Sequence, residues 1–151
     1  MTLTDFIIDP KDARRILIGA SGKLGPTEFA QGLVAIVAVA IVLQFVGLLP
    51  VIGGLISLIG GLLLLFCWIC VFAKRFHDAG QSGWMAAAAL LAMFVISIVL
   101  SFILTPIALG GSMMTAGYTP GPGVALVRTI VYILANGAVG FYAYRLKPTA
   151  V

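Results

Sequence analysis

The fold of this chain is decided by a short polar stretch between two long apolar runs, KRFHDAGQSGW, residues 74–84. This stretch, the polar island, contains the only histidine and three of the fourteen formal charges that nine basic and five acidic residues supply. Because 62% of the residues are hydrophobic and only 9% are charged, a soluble core cannot hide the apolar surface. A membrane is the expected solvent.

Four apolar runs are long enough to cross a membrane as helices, since a hydrocarbon core of about 30 Å takes roughly 20 residues. A membrane β-barrel would need alternating strands of about ten residues, whereas these runs are continuously apolar. We therefore predict an all-α integral membrane protein, a four-transmembrane-helix bundle with spans near 29–49, 51–72, 84–105 and 124–144. Its parts are an N-terminal arm at 1–28, the transmembrane domain at 29–147 and a tail at 148–151.

The basic residues predict the orientation of the four spans. Eight of the nine fall on one side, and Arg128 is the exception. By the positive-inside rule, both termini and the polar island face the cytoplasm. The acidic residues near the N-terminus do not fit a cleaved signal peptide, so span one is expected to stay in the mature protein. Nucleic acid is not a predicted partner, because the sequence has no cluster of basic residues of the kind that binds it.

The N-terminal arm is expected to contain a short helix. Asp9 suits the N-cap and Pro10 the first helical position. Arg14 and Arg15 followed by apolar residues 16–18 favour a helix at the membrane surface, with its basic part toward lipid phosphates. A loosely ordered cytoplasmic arm is the alternative.

Two further features are the small residues on span two and an uncharged connection between spans three and four. On span two, Gly53, Ser57 and Gly61 recur every four residues, a spacing typical of close helix packing. The connection from Pro106 to Gly123 carries no charge, so we expect an irregular loop that faces water or a partner.

A polar stripe recurs every four residues on span four: Arg128, Tyr132, Asn136 and Gly140. Asn136 is expected near mid-membrane with Ser97 as its hydrogen-bond partner, and Arg128 near the level of Gln44. The favoured interpretation is contact between helices plus an interface anchor. The alternative is a small polar pocket or proton path, although no span interior carries the acidic residue that a proton pump would use.

Most residues of the polar island have a predicted structural role. Lys74 and Arg75 suit the negative end of a helix, and Asp78 is spaced to pair with both. Ser82 can cap span three, and Trp84 suits the membrane interface. Glu28, at the same membrane face, is expected to pair with one of the two cations.

Catalytic and metal sites are not predicted. His77, the only histidine, is a candidate pH sensor and a weak candidate for catalysis, since no nucleophile accompanies it. Cys67 and Cys70 form a C-x-x-C inside a span, where apolar surroundings suppress the reactive thiolate. A structural zinc site needs four nitrogen or sulfur ligands, more than the chain offers here.

The polar island resembles the hallmark R-R-x-H-D-x-x-x-S-G-W of a bacterial inner-membrane family, domain of unknown function 805, the YhaH-like proteins. Residues 22–29, GKLGPTEF, resemble its G-R-x-x-R-x-E-[FY]-W signature before span one. The resemblance implies a small multi-pass membrane protein of the bacterial inner membrane with no established activity. The pattern is kept at Arg75, His77, Asp78, Ser82, Gly83, Trp84 and Glu28, whereas Lys23, Pro26, Ala30 and Lys74 depart from it.

Together these features predict a non-enzymatic accessory, scaffold or assembly subunit of a larger bacterial membrane complex, respiratory or photosynthetic. Its partners would be the lipid bilayer and other integral membrane proteins. No cofactor is predicted, although lipid or quinone would suit the edges of such an assembly. The alternative is a small transport or lipid/quinone-handling module that uses the Arg128–Asn136 stripe.

Overall fold

The computed structural model describes residues 10–19, 21–47, 49, 52–109 and 122–149, and the regular structure in these ranges is helical. The helices are α1 (Pro10–Leu17), α2 (Pro26–Val46), α3 (Ile52–Asp78), α4 (Trp84–Leu109) and α5 (Pro122–Arg145). Helices α2 to α5 are each long and apolar enough to cross a membrane. The prediction of an all-helical membrane protein with four such helices is confirmed.

Two helix ends differ from the prediction. Helix α3 continues to Asp78, because the sequence offers no helix breaker before Gly80, which has a φ of +70°. The first half of the polar island is therefore helical. Helix α4 passes through Pro106 and ends at Leu109. The prediction that an irregular connection starts at Pro106 was therefore wrong. Pro122 and Gly123, at the other end of that connection, belong to α5, whereas residues 110–121 and the expected N-cap Asp9 lie outside the described residues.

The helices pack most tightly at the end that carries the polar island. Helix α2 lies against α3 and α5, α4 lies against α5 and α3, and α1 crosses α2 and α3. The Trp68 ring stacks on Phe72 at 3.9 Å between centroids, and Phe29 meets Phe72 edge-on at 5.0 Å. Ile16 of α1 is buried beside this cluster. The short N-terminal helix is thus part of the packed core.

The opposite end is more open. The first half of α3 exposes large apolar side chains, among them Leu55 at 61% and Leu58 at 62%. Helix α4 is even less covered, with 6% of its most apolar stretch buried. Such surfaces suit hydrocarbon, where exposed leucine costs nothing.

Candidate functional site

Arg75 is fully buried at the end of α3, and its guanidinium holds the end of α5. Its Nε donates to the carbonyl oxygen of Ala143 at 3.1 Å. One terminal nitrogen donates to the carbonyl oxygens of Tyr144, at 3.1 Å, and Leu146. The other donates to the Asp78 carboxylate at 2.5 Å. Because the last carbonyls of a helix have no partner within it, Arg75 caps α5 from outside.

Lys74 does the same for α1. Its buried ammonium donates to the carbonyl oxygens of Arg15, Ile16 at 3.1 Å and Ile18 at 3.2 Å. A cation at this position also interacts favourably with the negative end of α1. Two adjacent residues of α3 therefore fix two helices that are far apart in the sequence.

The rest of the polar island builds the turn between α3 and α4. Gly80 adopts the left-handed conformation that ends α3. A Cβ atom on Gly83 would lie 2.8 Å from Nε2 of His77, so glycine makes room for the imidazole. The Ser82 hydroxyl accepts a long hydrogen bond of 3.4 Å from the backbone N–H of Trp84, whose side chain is 83% exposed.

The C-terminal tail returns to the same place. The backbone N–H of Thr149 donates to the carbonyl oxygen of Asp78 at 2.9 Å. The Thr149 side chain also lies so close to Gly80 that a Cβ there would collide with it. The polar island thus contacts the segment before α2 and the segment after α5.

Glu28 has a different partner from the one expected. Its carboxylate bonds to the Arg15 guanidinium, joining α1 to the first turn of α2. This hydrogen bond, with the charge of Glu28, raises the pKa of Arg15 above its usual range. The predicted pairing with Lys74 or Arg75 was wrong, because both cations bond to backbone carbonyls. Lys23 is exposed to solvent.

Asn136 lies in the core, and its partner is a tryptophan. The indole N–H of Trp68 donates to Oδ1 of Asn136 at 2.9 Å, and the Asn136 amide donates to the carbonyl oxygen of Tyr132 at 2.9 Å. Ser97 instead donates to the carbonyl of Met93 in its own helix, at 2.8 Å. The expected Asn136–Ser97 pair was wrong. The sequence did contain a signal for the Trp68–Asn136 pair, because the indole N–H of a buried tryptophan needs an acceptor.

The stripe on α5 is divided by depth. Asn136 and Gly140 are buried, and a Cβ on Gly140 would collide with Leu33 of α2. Arg128 is exposed and Tyr132 is half-buried. The buried pair therefore serves contact between helices, whereas the other two residues border an open space.

That open space is a cleft of about 510 Å³ between α3 and α5, with α2 behind it. Its lining includes Gln44, Ser57, Gly61, Trp68, Arg128 and Tyr132. The hydroxyl of Thr129, next to Arg128, is 3.1 Å from Oε1 of Gln44 in a hydrogen bond. Sequence reasoning placed Arg128 and Gln44 at one level but did not identify Trp68 as a lining residue.

The small residues of α3 face two different surroundings. Gly53 is buried close to the backbone of Val46, and the Ser57 hydroxyl donates to the carbonyl oxygen of Leu43 at 2.9 Å. Both positions join α3 to α2. A Cβ on Gly61 would meet nothing within 4 Å, because this residue faces the cleft.

The described ranges contain two free thiols and no cluster of metal ligands. Cys67 and Cys70 are free, and Cys70 is buried. Over those same ranges, no three His, Cys, Asp or Glu side chains come together as metal ligands.

Comparison with known proteins identifies the family. The profile described as "Protein of unknown function (DUF805)" matches residues 17–144, most of the chain. The chain belongs to this family. No curated protein and no solved structure gives a significant match.

In this DUF805 member, the matched range begins at the last residue of α1 and ends near the last turn of α5. It therefore includes Lys74 and Arg75 together with three of the six carbonyl groups that they bond to, those of Ile18, Ala143 and Tyr144. Lys74, which departs from the arginine of the motif that the polar island resembles, caps α1 through its ammonium. The compact ammonium group of a lysine is sufficient at this position, because three carbonyl oxygens converge on one point.

Proposed function

We propose that this protein is a non-enzymatic accessory, scaffold or assembly subunit of a larger complex in a bacterial inner membrane, respiratory or photosynthetic. It acts through contacts between its helices and those of other integral membrane proteins. Both termini and the polar island lie at the cytoplasmic face. The observation that carries this proposal is the uncovered, groove-bearing surface of α4.

The groove on α4 supports helix contact. A cavity of about 300 Å³ runs between α3, α4 and α5, and its lining includes Ala88, Ala89, Ala92 and Ala138. Small residues allow the backbone of a second helix to approach closely, which is the main source of association between helices in lipid. A transmembrane helix of a partner is therefore the proposed occupant.

The polar island supports a structural role for the motif. Lys74 and Arg75 already bond to backbone carbonyls and to Asp78, so neither cation is available to bind a substrate without freeing a helix end. Eight of the nine basic residues lie on the proposed cytoplasmic side, as the positive-inside rule requires.

Substitution at the groove tests the accessory role. Ala88→Phe would fill the groove, whereas Ala87→Phe adds the same ring to an exposed neighbour that does not line it. After native-level expression and mild-detergent purification, the wild type and Ala87→Phe should migrate above the monomer with integral membrane proteins attached. Ala88→Phe should lose them. A monomeric wild type without such proteins contradicts the proposal.

Thiol labelling tests the orientation. Lys147 is exposed after the end of α5, so Lys147→Cys in a Cys67→Ala, Cys70→Ala background offers one accessible thiol. A maleimide that does not cross membranes should label it only after the inner membrane is opened. Labelling in cells with an intact inner membrane would place the C-terminus outside.

A further inference from the structure

The cleft between α3 and α5 supports a binding site that is independent of the accessory role. We propose that it binds an amphiphile in which an anionic head group, phosphate or carboxylate, is joined to an apolar chain. The head contacts Arg128, and the chain runs along the cleft toward Trp68.

Among the described residues, Arg128 is a cation with no counter-charge at its end of the molecule. Within the described ranges it makes no hydrogen bond or ion pair, and the acidic residues found there, Asp12, Glu28 and Asp78, lie at the end with the polar island. An arginine within a membrane-spanning helix is costly and normally pairs or reaches water. Its planar guanidinium matches phosphate and carboxylate oxygens in a bidentate arrangement.

Polar groups beside Arg128 fix the head-group end of the cleft. The Thr129 hydroxyl shares its proton between the carbonyl oxygen of Ala125, at 2.9 Å, and Oε1 of Gln44, at 3.1 Å, which places the Gln44 amide on the cleft wall next to α5. Tyr132 lies one turn further along α5 and also lines the cleft. These groups give a charged head additional hydrogen-bond partners in a region that is otherwise apolar.

The remainder of the cleft is apolar and deep enough for a chain. Leu43, Leu64, Leu65 and Met93 contribute to its walls, and Trp68 lines it as well. Asn136, the partner of Trp68, is two turns beyond Arg128, which corresponds to about 12 Å along a helix. The volume of about 510 Å³ is typical of small-molecule sites, roughly 300–1,000 Å³.

An anionic amphiphile fits this arrangement better than a neutral quinone. A neutral quinone offers the Arg128 guanidinium no counter-charge, whereas an anionic head group compensates it. The same chemistry has two sources, an anionic phospholipid of the bilayer or a free fatty acid. The chain contact at Trp68 is common to both.

Fluorescence quenching tests the proposal, because the chain has only two tryptophans. Trp84→Phe removes the exposed one and leaves Trp68 as the reporter. The full-length variant is placed in phosphatidylcholine nanodiscs and titrated with brominated phosphatidylglycerol, brominated phosphatidylcholine or brominated stearate. We expect an anionic probe to reach half-maximal quenching at about tenfold lower mole fraction than brominated phosphatidylcholine, as charged hydrogen bonds imply.

The two anionic probes distinguish the sources. Selective quenching by phosphatidylglycerol alone identifies a bilayer phospholipid, and selective quenching by stearate alone identifies a free acid. Equal quenching by anionic and zwitterionic probes overturns the proposal.

Charge substitutions test the role of Arg128. Arg128→Gln in the Trp84→Phe background should reduce the tenfold preference to about twofold or less, whereas Arg128→Lys should keep most of it because the charge remains. Arg145→Gln, which removes an exposed cation from the other end of α5, should leave the preference unchanged. An Arg128→Gln variant with undiminished preference would refute this head-group site.

Filling the cleft tests the chain site separately. Gly61→Leu projects into the cleft, where a Cβ meets nothing, and should weaken quenching of Trp68 by every brominated chain. Gly137→Leu is the matched control, since a Cβ there also meets nothing and the residue does not line the cleft. If both variants behave as the parent does, the chain does not enter the cleft.

Discussion

Arg75 and Arg128 both lie in long apolar helices, yet their surroundings are opposite. Arg75 is fully buried and bonds to three backbone carbonyls and a carboxylate. Arg128 is exposed on the wall of a cleft and has no such partner within the described residues. The first arginine holds the fold together, and the second remains available for a ligand.

The same contrast applies to the two ends of the molecule. Around the polar island, aromatic rings pack tightly and Lys74 and Arg75 satisfy two helix ends. Around the cleft, α3 and α5 are separated, and Gly61 has no side chain to fill the space between them. The role of each polar residue in a membrane protein therefore has to be judged from its own hydrogen bonds. An arginine whose donors are satisfied by the chain has a structural role, whereas one that lacks an acceptor can bind a ligand.

The largest effect is expected at Arg75. Arg75→Gln leaves the Asp78 carboxylate and the end of α5 without their cation, so the free energy of unfolding should fall by about 3–5 kcal/mol. Arg128→Gln should change it by less than about 0.5 kcal/mol. Unfolding in mixed micelles with increasing dodecyl sulfate measures both, and equal losses would remove the distinction between the two arginines.

A smaller and more local effect is expected at Lys74. Lys74→Met leaves the carbonyl oxygens of Arg15 and Ile16 in α1, and of Ile18 just after it, without their donor, so the free energy of unfolding should fall by about 2 kcal/mol. Because the hydrogen bonds of Lys74 hold the C-terminal end of α1, their loss should let α1 open on its own, and hydrogen exchange should speed up in residues 11–18 before it does in α5. Lys147→Met, at an exposed position, is the control, and unchanged protection of α1 would show that the ammonium does not hold it.

The buried Trp68–Asn136 hydrogen bond should contribute less. Asn136→Leu is expected to cost about 1 kcal/mol, in line with hydrogen bonds between membrane helices. It should also alter the emission of Trp68, whose N–H loses its acceptor. Ser97→Ala should do neither, since that hydroxyl bonds within its own helix. A larger loss for Ser97→Ala would restore the serine as the important partner.

The smallest effect is expected at the Arg15–Glu28 ion pair. Both side chains are substantially exposed, so Glu28→Gln should lower the free energy of unfolding by less than about 1 kcal/mol. Salt should diminish the difference further by screening. Lys23→Gln provides a comparison at an exposed cation, and a salt-independent loss of several kcal/mol would mean that the pair is not a surface interaction.

Several features of the fold were predictable because they depend on local pattern. Continuous apolar runs predicted four long helices, and Pro10 is the first residue of α1 as predicted. The spacing of Arg75 and Asp78 predicted their pairing along one helix face. The two short motifs also predicted the family that the profile match confirms.

The candidate site was predictable only in part. The i+4 spacing placed Arg128 and Tyr132 on one face, but the same rule gave no information on which helix Asn136 meets, and Ser97 was the wrong choice. Glu28 was likewise paired with the wrong cations, because a common membrane face pointed to Lys74 and Arg75 and gave no indication of Arg15. Contact partners between helices depend on rotation about each helix axis, which an apolar sequence constrains weakly.

By itself, the sequence determined that the chain belongs in a membrane, how many of its helices are long enough to cross it, and which residues form the turn of the polar island. These features follow from hydropathy and backbone preference. Only the tertiary structure decided that Lys74 and Arg75 cap α1 and α5, that Trp68 is the partner of Asn136, and that Arg128 borders a cleft. The physical reason is that carbonyl oxygens at helix ends are acceptors in every sequence. Which cation reaches them depends on how the helices assemble.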